Sequence, residues 1–97
     1  MNAADAAADL YAELRVSDDA SADSIKAAYR QLARELHPDQ LGAVSAELRH
    51  VAEARMARVN AAYEVLSDPS KRREYDESRA NILRGREVER LAREVSE

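Results

Sequence analysis

The sequence predicts an all-α protein, and three observations support this prediction. Helix-forming residues such as alanine, leucine, arginine and glutamate dominate the 97 residues, whereas there are only two glycines and two prolines. Apolar residues recur at spacings of three and four along two long segments, which is the period of one helix face. No stretch shows the alternation of apolar and polar residues that is typical of a strand. The length corresponds to one domain with a modest core.

The first two predicted helices lie in the N-terminal third of the chain. Residues 1–8 are an alanine-rich N-terminal extension, and the segment from Asp9 to Leu14 predicts a short first helix. Ser21 is a typical N-cap and begins the second helix, which we predict over Ala22–Leu36. One apolar stripe on that helix should face the core, and it consists of Ile25, Ala28, Leu32 and Leu36.

A proline ends the second helix. Pro38 disfavours the α conformation in His37 and cannot continue a helix itself, so we expect the helix to stop near His37 and the loop HPDQLGAV to follow. The side chains of His37 and Asp39 then flank the proline on a stiffened turn. Since Pro-Asp is also a common turn dipeptide, these residues alone leave open whether the tripeptide is a helix breaker or a binding tip.

A third, longer helix is predicted over Ser45–Leu66. Its apolar positions are Leu48, Ala52, Met56, Val59, Ala62, Tyr63 and Leu66. Two amphipathic helices joined by a short loop should pack as an antiparallel hairpin.

The C-terminal part begins with a helix start signal. Asp68 as N-cap and Pro69 at the first helical position predict a short fourth helix, SKRREYDESR, with Tyr75 as its apolar anchor. Residues 79–97 form a charged, helix-prone segment that Gly85 interrupts. A weak apolar stripe in it comprises Val88, Leu91 and Val95.

Composition excludes several function classes. A net charge of −4 argues against a general nucleic-acid binder, and the absence of cysteine excludes disulfides and thiolate metal sites. No run approaches the roughly 18 apolar residues of a membrane span, and the chain start lacks the features of a signal peptide. We therefore expect a cytoplasmic protein with no cofactor, no metal, no nucleic acid and no membrane partner. We expect a monomer, because the only spare apolar stripe, in residues 79–97, is short.

The positive charge is concentrated on the second helix. Lys26, Arg30 and Arg34 lie four residues apart in one line, and residues 25–36 carry three basic side chains and one acidic side chain on an otherwise acidic chain. Such a line of cations can attract an acidic partner, and salt should weaken this attraction. The same spacing also occurs on helix faces that contact only solvent, so the sequence leaves both interpretations open. Tyr29, between this line and the apolar stripe, fits a core position or a contact position.

Two segments in this order resemble a known family. DLYAELRVSDDASADSIKAAYRQLARELHPD and VNAAYEVLSDPSKRREYD resemble the J-domain, the defining module of DnaJ-type (forty-kilodalton heat-shock) co-chaperones. The resemblance implies the J-domain fold, in which helices two and three form an antiparallel hairpin flanked by short helices one and four, and we place it over residues 9–78. It also implies binding to a DnaK-type (seventy-kilodalton heat-shock) chaperone and stimulation of its ATP hydrolysis. The partner-binding residues under this resemblance are His37, Pro38, Asp39, Tyr29, Lys26, Arg30 and Arg34.

Several positions depart from the J-domain pattern. Gln31, Glu35 and Gln40 stand where basic residues are common, and Arg15 stands where glycine is common. The first three departures weaken the basic patch and put the choice of chaperone in question. No glycine/phenylalanine-rich region or zinc-binding repeat follows, which fits a J-domain-only co-chaperone or a fragment of a longer one.

Two hypotheses from different classes stay open. The first is the co-chaperone, and the second is a J-like interaction or scaffold domain that docks a partner without activating an ATPase. We do not expect an enzyme, because no phosphate-binding glycine loop is present and no nucleophile accompanies His37 and Asp39.

Overall fold

The computed structural model describes residues 9–95 of the chain, and this part is helical with no strand. The predicted N-terminal extension, residues 1–8, lies outside the described residues. In chain order the helices are α1 (Leu10–Glu13), α2 (Ala22–Glu35), α3 (Pro38–Leu41), α4 (Ala46–Leu66) and α5 (Pro69–Val95). None of these helices is both long and apolar enough to cross a lipid bilayer.

The centre of the fold is the antiparallel hairpin of α2 and α4, which confirms the predicted fold class. Helix α1 packs against α4 on one side of this hairpin, and the first part of α5 also packs against α4. The buried core lies where α1, α2 and α4 meet, and it consists of Tyr11, Leu14, Ile25, Leu32, Val59, Ala62 and Leu66. Ala28 and Leu36 of the predicted stripe are half-buried.

Side-chain caps fix the helix starts at the residues that the sequence indicated. The hydroxyl of Ser21 accepts a hydrogen bond from the backbone N–H of Ser24 at 3.1 Å, at the start of α2. The carboxylate of Asp68 accepts from the N–H groups of Ser70 at 2.9 Å and Lys71 at 3.1 Å, directly before α5. The predicted start of the last helix at Pro69 is therefore confirmed.

The last helix is not short, and the expected break at Gly85 is wrong. Helix α5 is one continuous helix of 27 residues that passes through Gly85. A glycine in a helix interior costs only about 1 kcal/mol relative to alanine, and strong helix formers surround this one. Every described side chain from Leu83 onwards is exposed, including Val88, Leu91 and Val95.

Leu48 does not join the core, which corrects another expectation. Its side chain is 53% exposed, and the first buried residue of α4 is Ala52. Helix α4 has 21 residues whereas α2 has 14, and Tyr29 of α2 lies beside Asn60 and Tyr63 of α4, so the first turns of α4 extend beyond the end of α2. The helical period was correct at this position, but no facing helix covers it.

A polar cluster, which we call the α1–α5 clamp, holds α5 against the rest of the domain. The buried Tyr11 donates its hydroxyl hydrogen to Asp76 at 2.5 Å and accepts from Nε of Arg72 at 3.1 Å. The hydroxyl of Tyr75 accepts the backbone N–H of Leu10 at 3.0 Å. Burial raises the pKa of the Tyr11 hydroxyl, and its hydrogen bond to the Asp76 carboxylate raises that pKa further. Since α5 has no buried residue, this clamp is a main part of its attachment.

Candidate functional site

The tripeptide His37-Pro38-Asp39 begins where α2 ends. Helix α2 stops at Glu35 with Leu36 as its C-cap, and His37 has an extended backbone conformation with φ −66° and ψ 137°. Proline at the next position favours this conformation in His37. The predicted helix end near His37 is therefore confirmed.

The segment after His37 is a turn of helix, and the predicted loop is wrong at this point. Pro38 is the first residue of the four-residue helix α3, and His37 is its N-cap. The backbone N–H of Asp39 donates to Nδ1 of His37 at 3.1 Å. This acceptor role requires an unprotonated Nδ1, so the neutral imidazole carries its proton on Nε2. A proline at the first helical position costs nothing there, because its missing N–H would have no partner in the helix.

Both polar side chains of the tripeptide point into solvent. The side chain of His37 is 58% exposed and that of Asp39 is 89% exposed. The nearer Asp39 carboxylate oxygen lies 3.6 Å from Nδ1 of His37, which is too far for a hydrogen bond. The structure therefore presents an imidazole Nε2–H group and an exposed carboxylate on one capped turn.

Lys26, Arg30 and Arg34 form a basic line along the exposed side of α2. Within the described residues, none of the three side chains makes an ion pair or a hydrogen bond. At 1.5 Å per residue the line is about 12 Å long, and it leads towards His37 at the end of the helix. The arrangement is an open surface, so it suits a macromolecular partner better than a small ligand.

Tyr29 bridges α2 and α4. Its ring stacks on that of Tyr63 with centroids 4.1 Å apart, and its hydroxyl donates to Oδ1 of Asn60 at 2.8 Å. The side chain is half-buried, so one part packs between the helices and the other part remains accessible beside the basic line. The sequence did not indicate the role of Asn60, although its position one helical turn before Tyr63 places both on the same face of α4.

No metal site accompanies these residues. Within residues 9–95, the acidic and histidine side chains do not gather into a group that could hold a metal ion. His37 and Asp39 therefore stand as polar groups on a surface turn.

Comparison with known proteins identifies the family. A family model described as the DnaJ domain matches residues 9–76, which is well over half of the chain. The chain belongs to the DnaJ domain family. The matched region contains α1 to α4, the tripeptide and the first part of α5, so the described site lies within the DnaJ domain.

Curated relatives match the same region. "Chaperone protein DnaJ 2" of Nocardia farcinica is 55% identical over 71 residues, and "Chaperone protein DnaJ 1" of Mycobacterium tuberculosis is 54% identical over 71 residues. "Chaperone protein DnaJ 2" of Streptomyces coelicolor is 53% identical over 70 residues. Each match covers 72–73% of this chain but 17% of the relative, so the similarity is confined to the DnaJ domain of much longer proteins.

Proposed function

We propose that the chain is a co-chaperone domain that binds a DnaK-type chaperone in its ATP state and stimulates its ATP hydrolysis. The observation that carries this proposal is the exposed His37-Pro38-Asp39 turn at the end of a basic helix. The DnaJ domain family and the chaperone names of the relatives support the same function.

Each residue of the turn has a distinct role in this proposal. The carboxylate of Asp39 pairs with an arginine of the chaperone, because charge-assisted bonds of this kind are among the stronger hydrogen bonds. Nε2–H of His37 donates to the chaperone, while Nδ1 holds the turn. Pro38 fixes the relative positions of the two side chains.

The remaining contact residues lie on α2. Lys26, Arg30 and Arg34 steer an acidic surface of the chaperone towards the turn, and this attraction raises the association rate more than the affinity. The exposed part of Tyr29 adds an aromatic contact beside the line.

In this proposal the domain acts by binding one state of the chaperone more tightly than another. That difference in affinity shifts the chaperone towards its hydrolysing conformation, and the ATP chemistry takes place in the chaperone. We assign the activity to residues 9–78 and place it in the cytoplasm. Residues 79–97 are the charged C-terminal segment in this proposal. The segment continues helix α5 as far as Val95, and its described side chains from Leu83 to Val95 are exposed, whereas Arg79 at its start pairs with Asp9 and Asp18 of the domain.

Single-turnover ATP hydrolysis by a DnaK-type chaperone tests the proposal. We expect the wild-type chain to accelerate hydrolysis and the His37→Gln variant to have no effect. His37→Asn is the matched control, because asparagine is a good N-cap and preserves the turn but does not extend to the position of Nε2. If Nε2–H contacts the chaperone, His37→Asn is also inactive while its circular dichroism matches the wild type.

The same experiment distinguishes the co-chaperone from the scaffold alternative. Acceleration by the wild type that depends on His37 is incompatible with a domain that docks a partner without activating an ATPase. If the wild type binds the chaperone but leaves hydrolysis unchanged, the proposed function is wrong.

A further inference from the structure

Arg15 has a backbone conformation that arginine rarely adopts. After α1, the N–H of Arg15 donates to the carbonyl of Ala12 and the N–H of Val16 donates to the carbonyl of Tyr11, both at 3.0 Å. These two bonds form a Schellman motif, in which the residue after the C-cap is left-handed and is usually glycine. Arg15 has φ 57° and is the one non-glycine residue with positive φ in the described part of the chain. An arginine therefore occupies a position that the backbone favours for glycine.

The guanidinium of Arg15 reaches α2. Its Nη1 atom lies 3.6 Å from Oε2 of Glu35, and the other carboxylate oxygen, Oε1, accepts a hydrogen bond from Nε2 of Gln31 at 3.2 Å. The side chains of Arg15 and Glu35 are 60% and 47% exposed, and ion pairs at such exposure add little stability. Domain stability alone therefore does not explain an arginine in this conformation.

The charge distribution on α2 gives a better explanation. Glu35 is one of two acidic residues in α2, and it lies two residues before His37, where the basic line meets the turn. A carboxylate without a countercharge at this end would reduce the positive field that an acidic partner encounters. The arginines of the basic line do not neutralise it, since none of them pairs with Glu35 in the described structure.

We propose that Arg15 is a charge-compensating residue of the partner-binding surface. It neutralises Glu35 from the turn after α1, so that the three cations of α2 retain their full effect near His37-Pro38-Asp39. This inference rests on the proposed function. It adds a position outside α2 that sets how strongly the surface attracts an acidic chaperone.

The test compares four chains: wild type, Arg15→Gly, Glu35→Gln and the double variant. We expect Arg15→Gly to lower the association rate constant with an ATP-bound DnaK-type chaperone about two- to threefold at an ionic strength of about 0.1 M. Glu35→Gln should raise it by a similar factor, and the double variant should return to the wild-type value. The Tm of Arg15→Gly should be unchanged or raised, because glycine adopts positive φ without strain.

Arg90→Gln is the matched control. Arg90 is also an exposed, ion-paired arginine, but it pairs with Glu87 and Glu94 on the distal part of α5. Its replacement changes the net charge equally and should leave the association rate unchanged, since salt screens charges beyond about 10 Å at this ionic strength.

Each outcome distinguishes the inference from the function on which it rests. A wild-type rate in Arg15→Gly overturns the inference and leaves the proposed function intact. A loss that Glu35→Gln does not restore also overturns it, because Arg15 would then contact the chaperone directly. If the wild-type chain does not associate with the chaperone, both proposals fail.

Discussion

The hydroxyl of Tyr11 should make a measurable contribution to stability, and the Tyr11→Phe variant isolates it. The side chain is 2% exposed, so phenylalanine keeps the ring packing and removes only the hydroxyl. That hydroxyl donates to the charged Asp76 and accepts from Arg72. After the change, water can hydrate the exposed Asp76, and Arg72 keeps its hydrogen bonds to the carbonyls of Asp18 and Ala20.

The expected cost therefore lies at the low end for a hydrogen bond to a charged group, at about 1.5 kcal/mol. For a domain of this size this corresponds to a fall in Tm of about 6–12 °C. Urea unfolding followed by circular dichroism at neutral pH measures the free energy of unfolding directly. Tyr63→Phe is the matched control, because the Tyr63 hydroxyl makes no hydrogen bond within the described residues, and it should be close to wild type.

The pH dependence of stability provides a second signature of Tyr11. Its folded-state pKa is raised above the ordinary value of 10.0, so its contribution is fully present below pH 10 and is lost as the pH rises through the folded pKa. Over that interval the wild type should lose up to about 1.4 kcal/mol per pH unit from this group, and Tyr11→Phe should lack this loss. Equal stability of the two proteins at neutral pH, with the same alkaline slope, would refute the role of the clamp.

Three further predictions concern other parts of the chain. Arg30→Ala should lower the rate of association with a DnaK-type chaperone about two- to fivefold, because it removes one cation of the basic line. Added salt should also lower the wild-type rate, and a rate that stays independent of salt in stopped-flow measurements contradicts electrostatic steering. Gly85→Ala should stabilise α5 by about 1 kcal/mol, because alanine is the better helix former and an added Cβ meets no atom within 4 Å. Backbone hydrogen exchange around position 85 should become slower, and unchanged exchange would contradict this prediction. Tyr29→Phe keeps the ring stacked on Tyr63 but loses the hydrogen bond to Asn60. The free energy of unfolding in urea should therefore fall by about 1 kcal/mol, and an unchanged value would mean that this hydrogen bond adds no stability.

Much of the fold follows from local sequence signals. The apolar period of α2, the capping serine at its start and the Asp68-Pro69 signal before α5 each predicted an element that the structure contains. These signals are local, because a cap or a stripe depends on residues within one or two helical turns. The antiparallel hairpin followed from two such helices and the short loop between them.

The errors arose where a distant contact or a weak local preference decides the structure. Leu48 lies on the apolar face of α4 but is exposed, because it lies beyond the end of α2. Whether α2 covers this position depends on the lengths of both helices, and no local pattern gives that information. Gly85 is a weak helix breaker, and the residues around it outweigh it. Helix α3 is capped by a histidine side chain, which accepts the backbone N–H of Asp39, and backbone bonds from Gln40 and Leu41 to the His37 carbonyl complete the turn. Histidine is not among the N-cap residues from which a helix start is usually predicted.

Some features of the candidate site could also be predicted from local sequence signals, and others could not. The exposed turn and the basic line could be predicted, because proline and a four-residue spacing of cations are visible in the sequence. The tautomer of His37, the bond from Tyr29 to Asn60 and the pairing of Arg15 with Glu35 could not, because each joins groups whose relative positions the fold determines.

The most direct test of the proposed function is the rate of single-turnover ATP hydrolysis by a DnaK-type chaperone in the presence of the Asp39→Asn variant. Asp39 is 89% exposed, and its backbone N–H, which asparagine retains, makes the capping bond to His37. The variant therefore removes one negative charge and preserves the turn. We predict that it folds as the wild type does and fails to accelerate hydrolysis. Full acceleration by Asp39→Asn would show that the chaperone does not bind the carboxylate and would contradict the proposed mechanism.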